Sequence, residues 1–470
     1  MKPTLALFLL LLTCTQVFGQ EPEPRMSLSL NELLGYVKAY HPIARQAELR
    51  ISEAQAELMR ARGNFDPRLG ADYKEKNFKD SEYYQIFDAG LTIPVWFGLD
   101  LKAGYENNDG TFLNPDLTVP DDGLYKAGFS LQVGQGLFIN DRMAILKQAR
   151  LIPTLNEAQR DLEVNEILFL ATNAYVDWLR ARKEVELFED FLENAKVRFE
   201  GIKKSALEGQ IPIIDTLEAK IIVENRELGL EQSQLRFIQR RLELSNFLWI
   251  DDDIPIEIDA QVIPEDIDPD ELDEVLGTNL IMLEDFDIED HPLLRFLEVN
   301  IESLDIERRL AAERLKPVLD VQYNFLTETP NQFNSFTTNN YMAGIKFSMP
   351  LFLRKERADL KLAKLRIQDA TLEYKFQGFE LRNNINLAQQ EIISFQKQYN
   401  TSNSIATNFG SLLTAEERRF TFGESSVFLI NAREEQVINA RLSEIRAFAR
   451  WHQSKAKLFR LLANELSLED

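Results

Sequence analysis

The chain has 470 residues, 44% of them hydrophobic, and a formal net charge of −23. That length holds two or three ordinary domains with sizeable buried surfaces, and the acidic balance argues against nucleic acid as a partner. With three histidines, one cysteine and no Gly-x-Ser-x-Gly motif, the inventory offers no hydrolytic site, so no enzyme activity and no cofactor is expected.

The amino terminus reads as a secretory signal peptide over residues 1–19. Lys2 precedes an apolar run from Leu5 to Leu12, and Val17 and Gly19 occupy the small-residue positions before a cut ahead of Gln20. The one cysteine, Cys14, lies inside it, so the mature chain has no disulfide, thiolate ligand or cysteine nucleophile. "LLTC" resembles a lipobox only weakly, because threonine before the cysteine fits poorly. Beyond residue 20 no apolar run approaches the ~18 residues a membrane helix needs, so any membrane-inserted part must be a barrel.

A first repeat spans 20–250. Ser29, Asn31 and Glu32 supply capping residue types before "LLGYVKAYHP", and Pro42 suits the first turn of the next helix. The stretch from Tyr40 to Pro67 returns from Asp290 to Pro317: His41 recurs as His291, Pro67 as Pro317 and Tyr73 as Tyr323, each shifted by 250 positions. Such a period marks a duplicated unit. The two histidines read as caps or packing groups, since a metal site would need a third ligand at the usual spacing.

Between about 67 and 138 the periodicity changes from helical to two. Tyr125, Ala127, Phe129, Leu131 and Val133 form an apolar face, repeated in the second copy, between about 317 and 352, by Tyr341, Ala343, Ile345, Phe347 and Met349. Copy one carries additional alternation: Phe87, Ala89, Leu91, Ile93 and Val95, then Leu99, Leu101, Ala103 and Tyr105, joined by Trp96-Phe97-Gly98. This is expected to be an added hairpin, giving six strands per chain, with Pro94 as its weak point. The alternation alone fits either a sheet with one wet face or a membrane barrel with lipid-facing and lumen-facing rows.

Helices discriminate between the two. Residues 154–200 contain neither Gly nor Pro, and 351–470 contain no Pro. A helix from about 144 to 207 would be ~95 Å long and would need coiled-coil partners. Each long helix is expected to turn at a glycine, Gly209 in "ALEGQIPIIDTLEAK" and Gly423 in "TFGESSVFLINAREE". Their spacing of 214 also aligns Asn225 with Asn439 and Leu244 with Leu458. Between the copies, residues 251–290 hold 17 acidic residues and no Lys or Arg, leaving −6 for the rest. The segment reads as a solvated inter-repeat linker, without the ligand spacing of an EF-hand. The second repeat occupies 291–470.

These residues together resemble the TolC family of outer-membrane efflux proteins. The likeness rests on the His-Pro openers, the Tyr-x-Ala-Gly strand at Tyr125 and Tyr341, and the tip motif read as Gly209, Asp215, Leu217 and Ala219. The resemblance implies a mainly α fold with a membrane β-barrel: a homotrimer closing one barrel in outer-membrane lipid above an α-helical periplasmic tunnel. It implies an export duct that meets a periplasmic adaptor protein and an inner-membrane transporter at its tips. The family's constriction carboxylates fall here on Leu429 and Ala432. An acidic pair at that spacing stands in copy one, as Asp215 and Glu218, so these two and Glu424 are the candidate gate or tip carboxylates. The alternative is a periplasmic adaptor, which also pairs a signal peptide with a helical hairpin.

Overall fold

The computed structural model describes residues 26–278, 286–331 and 335–463. The expected signal peptide, Cys14 and the cut ahead of Gln20 lie outside them. In chain order come β1 (Ser27–Leu28), α1 (Leu30–Tyr40), α2 (Pro42–Arg62), β2 (Arg68–Phe78), β3 (Ser81–Pro94), β4 (Leu99–Asp109) and β5 (Leu124–Gly134). Then follow α3 (Asp141–Ala149), α4 (Ile152–Leu207), α5 (Ile214–Ser245), β6 (Trp249–Ile250), β7 (Ile254–Pro255), β8 (Ile263–Pro264) and α6 (Pro269–Val275). The second copy is α7 (Pro292–Glu313), β9 (Val318–Thr327), β10 (Tyr341–Ser348), α8 (Arg354–Thr421) and α9 (Val427–Leu462).

The helices begin where the sequence places their caps. Ser29 and Glu32 form a reciprocal capping box on α1. His41 and His291 cap α2 and α7: each Nδ1 accepts the amide of the residue two further on, from Ile43 at 3.2 Å and Leu293 at 3.1 Å. The long helix of copy one is shorter than expected, because α3 and α4 are separate around Arg150 and Leu151. Pro153 lies in the first turn of α4. It lacks the amide and collides with the carbonyl four residues back, so it opens a helix there and cannot continue one. The 56 residues of α4 span ~84 Å, and the 68 of α8 ~102 Å.

Each long helix is lined by two shorter ones. α4 packs on α5 toward its carboxyl end and on α2 toward its amino end; α8 does the same with α9 and α7. Across the repeats α4 packs on α9 and α7. The wall of one chain is therefore a row with α5 and α2 on one flank and α8 on the other.

The largest core lies where α1, α4 and α9 meet the inter-repeat segment. Leu33, Leu34, Val37, Tyr175, Trp178 and Phe459 pack with Ile258, Leu272, Val275 and Leu276. Most described residues of the inter-repeat segment are exposed, as expected of a solvated linker, but Ile258, Leu272, Val275 and Leu276 are not. Leu272, Val275 and Leu276 sit at i, i+3 and i+4 among the acidic residues and bury one stripe of α6. β8 pairs in parallel with β1, and the Tyr175 hydroxyl lies 2.8 Å and 2.9 Å from the carbonyl oxygens of Leu28 and Glu265. Buried Lys455 donates to the Pro269 carbonyl and to Asp273, each at 2.8 Å.

Candidate functional site: the six-stranded sheet and the hairpin tips

The sheet has the order β10-β9-β5-β4-β3-β2, with every pair antiparallel. The added hairpin is therefore part of it: β3 pairs with β2, and β4 with β5. Leu69, Leu91, Ala103, Ala127, Phe325 and Tyr341 face one another in one register row across all six strands. Because side chains alternate along a strand, this row and those two residues away give one continuous apolar face.

The other face is polar. Asp88 of β3 stands opposite Glu106 of β4, and the Lys126 ammonium from β5 reaches both, Asp88 at 3.4 Å. The residue opposite Lys126 is Gly104, and a Cβ there would come within 3.4 Å of Lys126 Cε. The missing side chain lets the lysine lie flat along the wall. Pro94 is accommodated at the last pair of β3, opposite Asp100, while β2 pairs only as far as Thr92. The turn itself puts Phe97 and Gly98 at φ of 61° and 68°. Trp96 anchors it by stacking on Phe65 at 5.4 Å, and Arg142 holds Asp100 at 2.8 Å.

The tips are two copies of one turn. Gly209 and Gly423 have φ of +76° and +75°. Gly209 donates to Ala206 at 3.1 Å and Gln210 to Ser205 at 2.9 Å; Gly423 donates to Phe420 at 2.9 Å and Glu424 to Arg419 at 2.9 Å. Both are Schellman closures, which need a left-handed residue at the glycine position.

The candidate carboxylates do not gather into one cluster. Asp215 is in the first turn of α5, and Glu424 is exposed just past the second turn. Glu218 touches the other hairpin, accepting from Asn431 Nδ2 at 3.3 Å. Leu429 and Ala432 are exposed on α9. Sequence reading missed the ionic contact between hairpins just above the tips. Arg198 of α4 donates to Glu434 of α9 at 2.6 Å and to Glu417 of α8 at 3.4 Å, and Arg226 of α5 donates to Glu435 at 3.0 Å. Glu434 is fully buried. A signal was available at the spacing of 214, where Lys203 and Lys220 of copy one become Glu417 and Glu434 in copy two.

Burial lowers the His41 ring below its ordinary pKa and pushes those of His291 and His452 down to about 4, which keeps them neutral. Among the described residues no three His, Cys, Asp or Glu side chains gather as metal ligands. No helix among them is long and apolar enough to cross a membrane.

Comparison of the sequence finds no matching family model and no matching curated protein. The fold does match solved structures. The CmeC outer membrane channel of Campylobacter jejuni aligns over 94% of this chain and 87% of its own at 11% identity, with a TM-score of 0.63. The outer membrane protein VceC of Vibrio cholerae aligns over 94% and 97% at 16% identity, TM-score 0.64. The MtrE outer membrane channel of Neisseria gonorrhoeae, in its open state, aligns over 94% and 90% at 15% identity, TM-score 0.64. In its duplicated order of elements, its open sheet and its two long hairpins, the chain has the fold of the TolC family of outer-membrane efflux channels.

Proposed function

We propose that the protein is an export duct of the outer membrane, assembled from three copies of this chain. The observation that carries this reading is the coincidence of unpartnered edges. β2 and β10 are the outer strands of the sheet. On the flank of β2, α5 exposes Ile214, Ile221, Leu228, Leu235 and Leu242 at seven-residue spacing; on the flank of β10, α8 exposes Leu365, Leu372 and Phe379. A seven-residue apolar stripe is a coiled-coil seam waiting for a partner, and an open strand edge is likewise half of a pair.

Six strands are too few for a single-chain barrel, which starts at about eight. Three chains of six make 18, a barrel with an aqueous lumen. The continuous apolar face meets lipid, and the face carrying Asp88, Glu106 and Lys126 lines the lumen. Passage through the duct is passive in this reading, as the family resemblance implies. The tips stand a helix length away from the sheet, where a periplasmic adaptor and an inner-membrane transporter dock. Membrane fractionation with gel mobility before and after heating tests this. A heat-dissociated trimer in the outer membrane is expected. A soluble periplasmic monomer would overturn the duct and favour the adaptor reading.

A further inference from the structure

The first hairpin carries an unfilled groove of about 300 Å³ between α4 and α5, close to its tip. Phe199, Ala206, Leu207, Ile213 and Leu217 form its walls, with Lys203 and Lys220 at the rim. Leu207 and Ile213 are each 81% exposed, so the single chain leaves apolar surface wet here.

The duplication indicates what belongs in the groove. At the spacing of 214, Lys203 corresponds to Glu417, Lys220 to Glu434, and Arg198 to Leu412. Within the chain, Arg198 reaches from the first hairpin into the cleft between α8 and α9 and meets those two glutamates. α8 is the counterpart of α4, so Leu412, 47% exposed, stands on α8 where Arg198 stands on α4. Another copy, placed against α8 as the second hairpin is placed against the first, presents its own α4–α5 groove to Leu412.

The chemistry fits this substitution. The cleft that receives an arginine is lined by two glutamates, whereas the groove facing a leucine is apolar. Its two lysines turn their charges to their own helices, to Glu200 at 3.6 Å and Glu224 at 3.4 Å. Ile405, one heptad before Leu412, is exposed too and extends the ridge. The same logic holds along α5. Exposed Leu235 and Leu242 correspond to Ala449 and Ala456, which are 1% and 0% exposed, and Ala456 packs in the core with Ile167, Leu168 and Ala171 of α4.

We propose that the groove seats the Ile405–Leu412 ridge of a second copy of this chain. This rests on the trimeric duct reading. The seams around the assembled tip then alternate, charged and locked by Arg198 within each chain and apolar between chains.

The thiol-free mature chain permits a direct test. Leu412→Cys and Lys220→Cys are placed in separate, differently tagged chains, co-expressed, and treated in intact membranes with a short thiol cross-linker. A linked dimer carrying both tags is expected. Glu218→Cys with Asn431→Cys in one chain is expected to link without leaving monomer mobility after heating. A heat-dissociated trimer that gives no 412–220 link, or a link from Lys220→Cys to a different protein, overturns the seat and leaves the duct standing. Absence of any trimer in the unmodified protein overturns the duct reading itself. As a second measure, Leu412→Arg, set against Lys203 and Lys220, is expected to lower the temperature at which the trimer dissociates more than Leu412→Glu; equal effects would overturn the seat.

Discussion

Two glycines of α4 and its tip, eight residues apart, should respond to the same substitution in opposite directions. Gly201 is inside the helix, and a Cβ there would meet nothing within 4 Å. Gly201→Ala should therefore stabilise the helix by up to about 1 kcal/mol, the difference in propensity. Gly209 is equally open, with nothing within 4 Å, but its φ is +76°. Gly209→Ala meets no clash, so its cost is the left-handed backbone alone, about 1–2 kcal/mol. Escaping that cost by relaxing the turn would give up the bonds to Ala206 and Ser205, at about 1 kcal/mol each. The two variants should thus differ by about 2 kcal/mol, roughly 30-fold in the opening equilibrium of the tip. Hydrogen exchange of peptides covering 199–215, read by mass spectrometry, measures that ratio. Gly423→Ala should match Gly209→Ala, since its φ is +75° and its surroundings are also empty. Faster exchange in both Gly201→Ala and Gly209→Ala, or none in Gly209→Ala, would refute the reasoning. If the tips dock a partner, Gly209→Val should also reduce export more than it reduces trimer yield.

Arg198→Ala strands the buried Glu434 carboxylate and should cost about 3–5 kcal/mol in urea unfolding, most of it recovered when Glu434→Leu is added; an unchanged midpoint would exclude a buried pair. His452 is buried with its ring pKa pushed down to about 4, against about 6.5 when unfolded, so falling pH protonates the unfolded chain first. Its contribution, up to about 3 kcal/mol, is full above pH 6.5 and lost as pH falls toward 4; His452→Gln should flatten that limb of the stability curve, and an identical slope would count against it. Cysteines at Leu91 and Leu101 should react with a lipid-phase reagent, and water exposure at both positions would reject the 18-stranded barrel.

The strands were legible because a half-wet sheet needs strict alternation, and Phe87 to Val95 and Tyr125 to Val133 supply it. Gly209 and Gly423 announced the tips because a Schellman turn needs a left-handed residue that glycine adopts without strain. Pro153 was harder to read, since proline marks a helix start as well as a helix stop. In the inter-repeat segment the density of Asp and Glu masked the helical spacing of Leu272, Val275 and Leu276. The Arg198–Glu434 contact was hidden for another reason. Its partners are 236 residues apart, and only the change from Lys203 and Lys220 to Glu417 and Glu434 across the two copies hints at it.

The added hairpin has a geometric consequence for how the strands would join the helices in the proposed trimer. Near the tips each chain contributes four helices, α4, α5, α8 and α9, so the proposed assembly of three chains would supply twelve. At the usual spacing of about 9 Å between packed helices, twelve of them enclose a circumference of about 110 Å. Strands about 4.8 Å apart and tilted by about 40° give about 75 Å for twelve strands and about 110 Å for 18. Six strands per chain bring the two perimeters into agreement. The crossings between helix and strand near Phe65, Gly136, Lys316 and Phe352 could then run almost parallel to the axis, without drawing the wall inward. In the proposed trimer the bore would be set by neither half alone, and a cargo that clears the helices would meet no narrower ring of backbone among the strands.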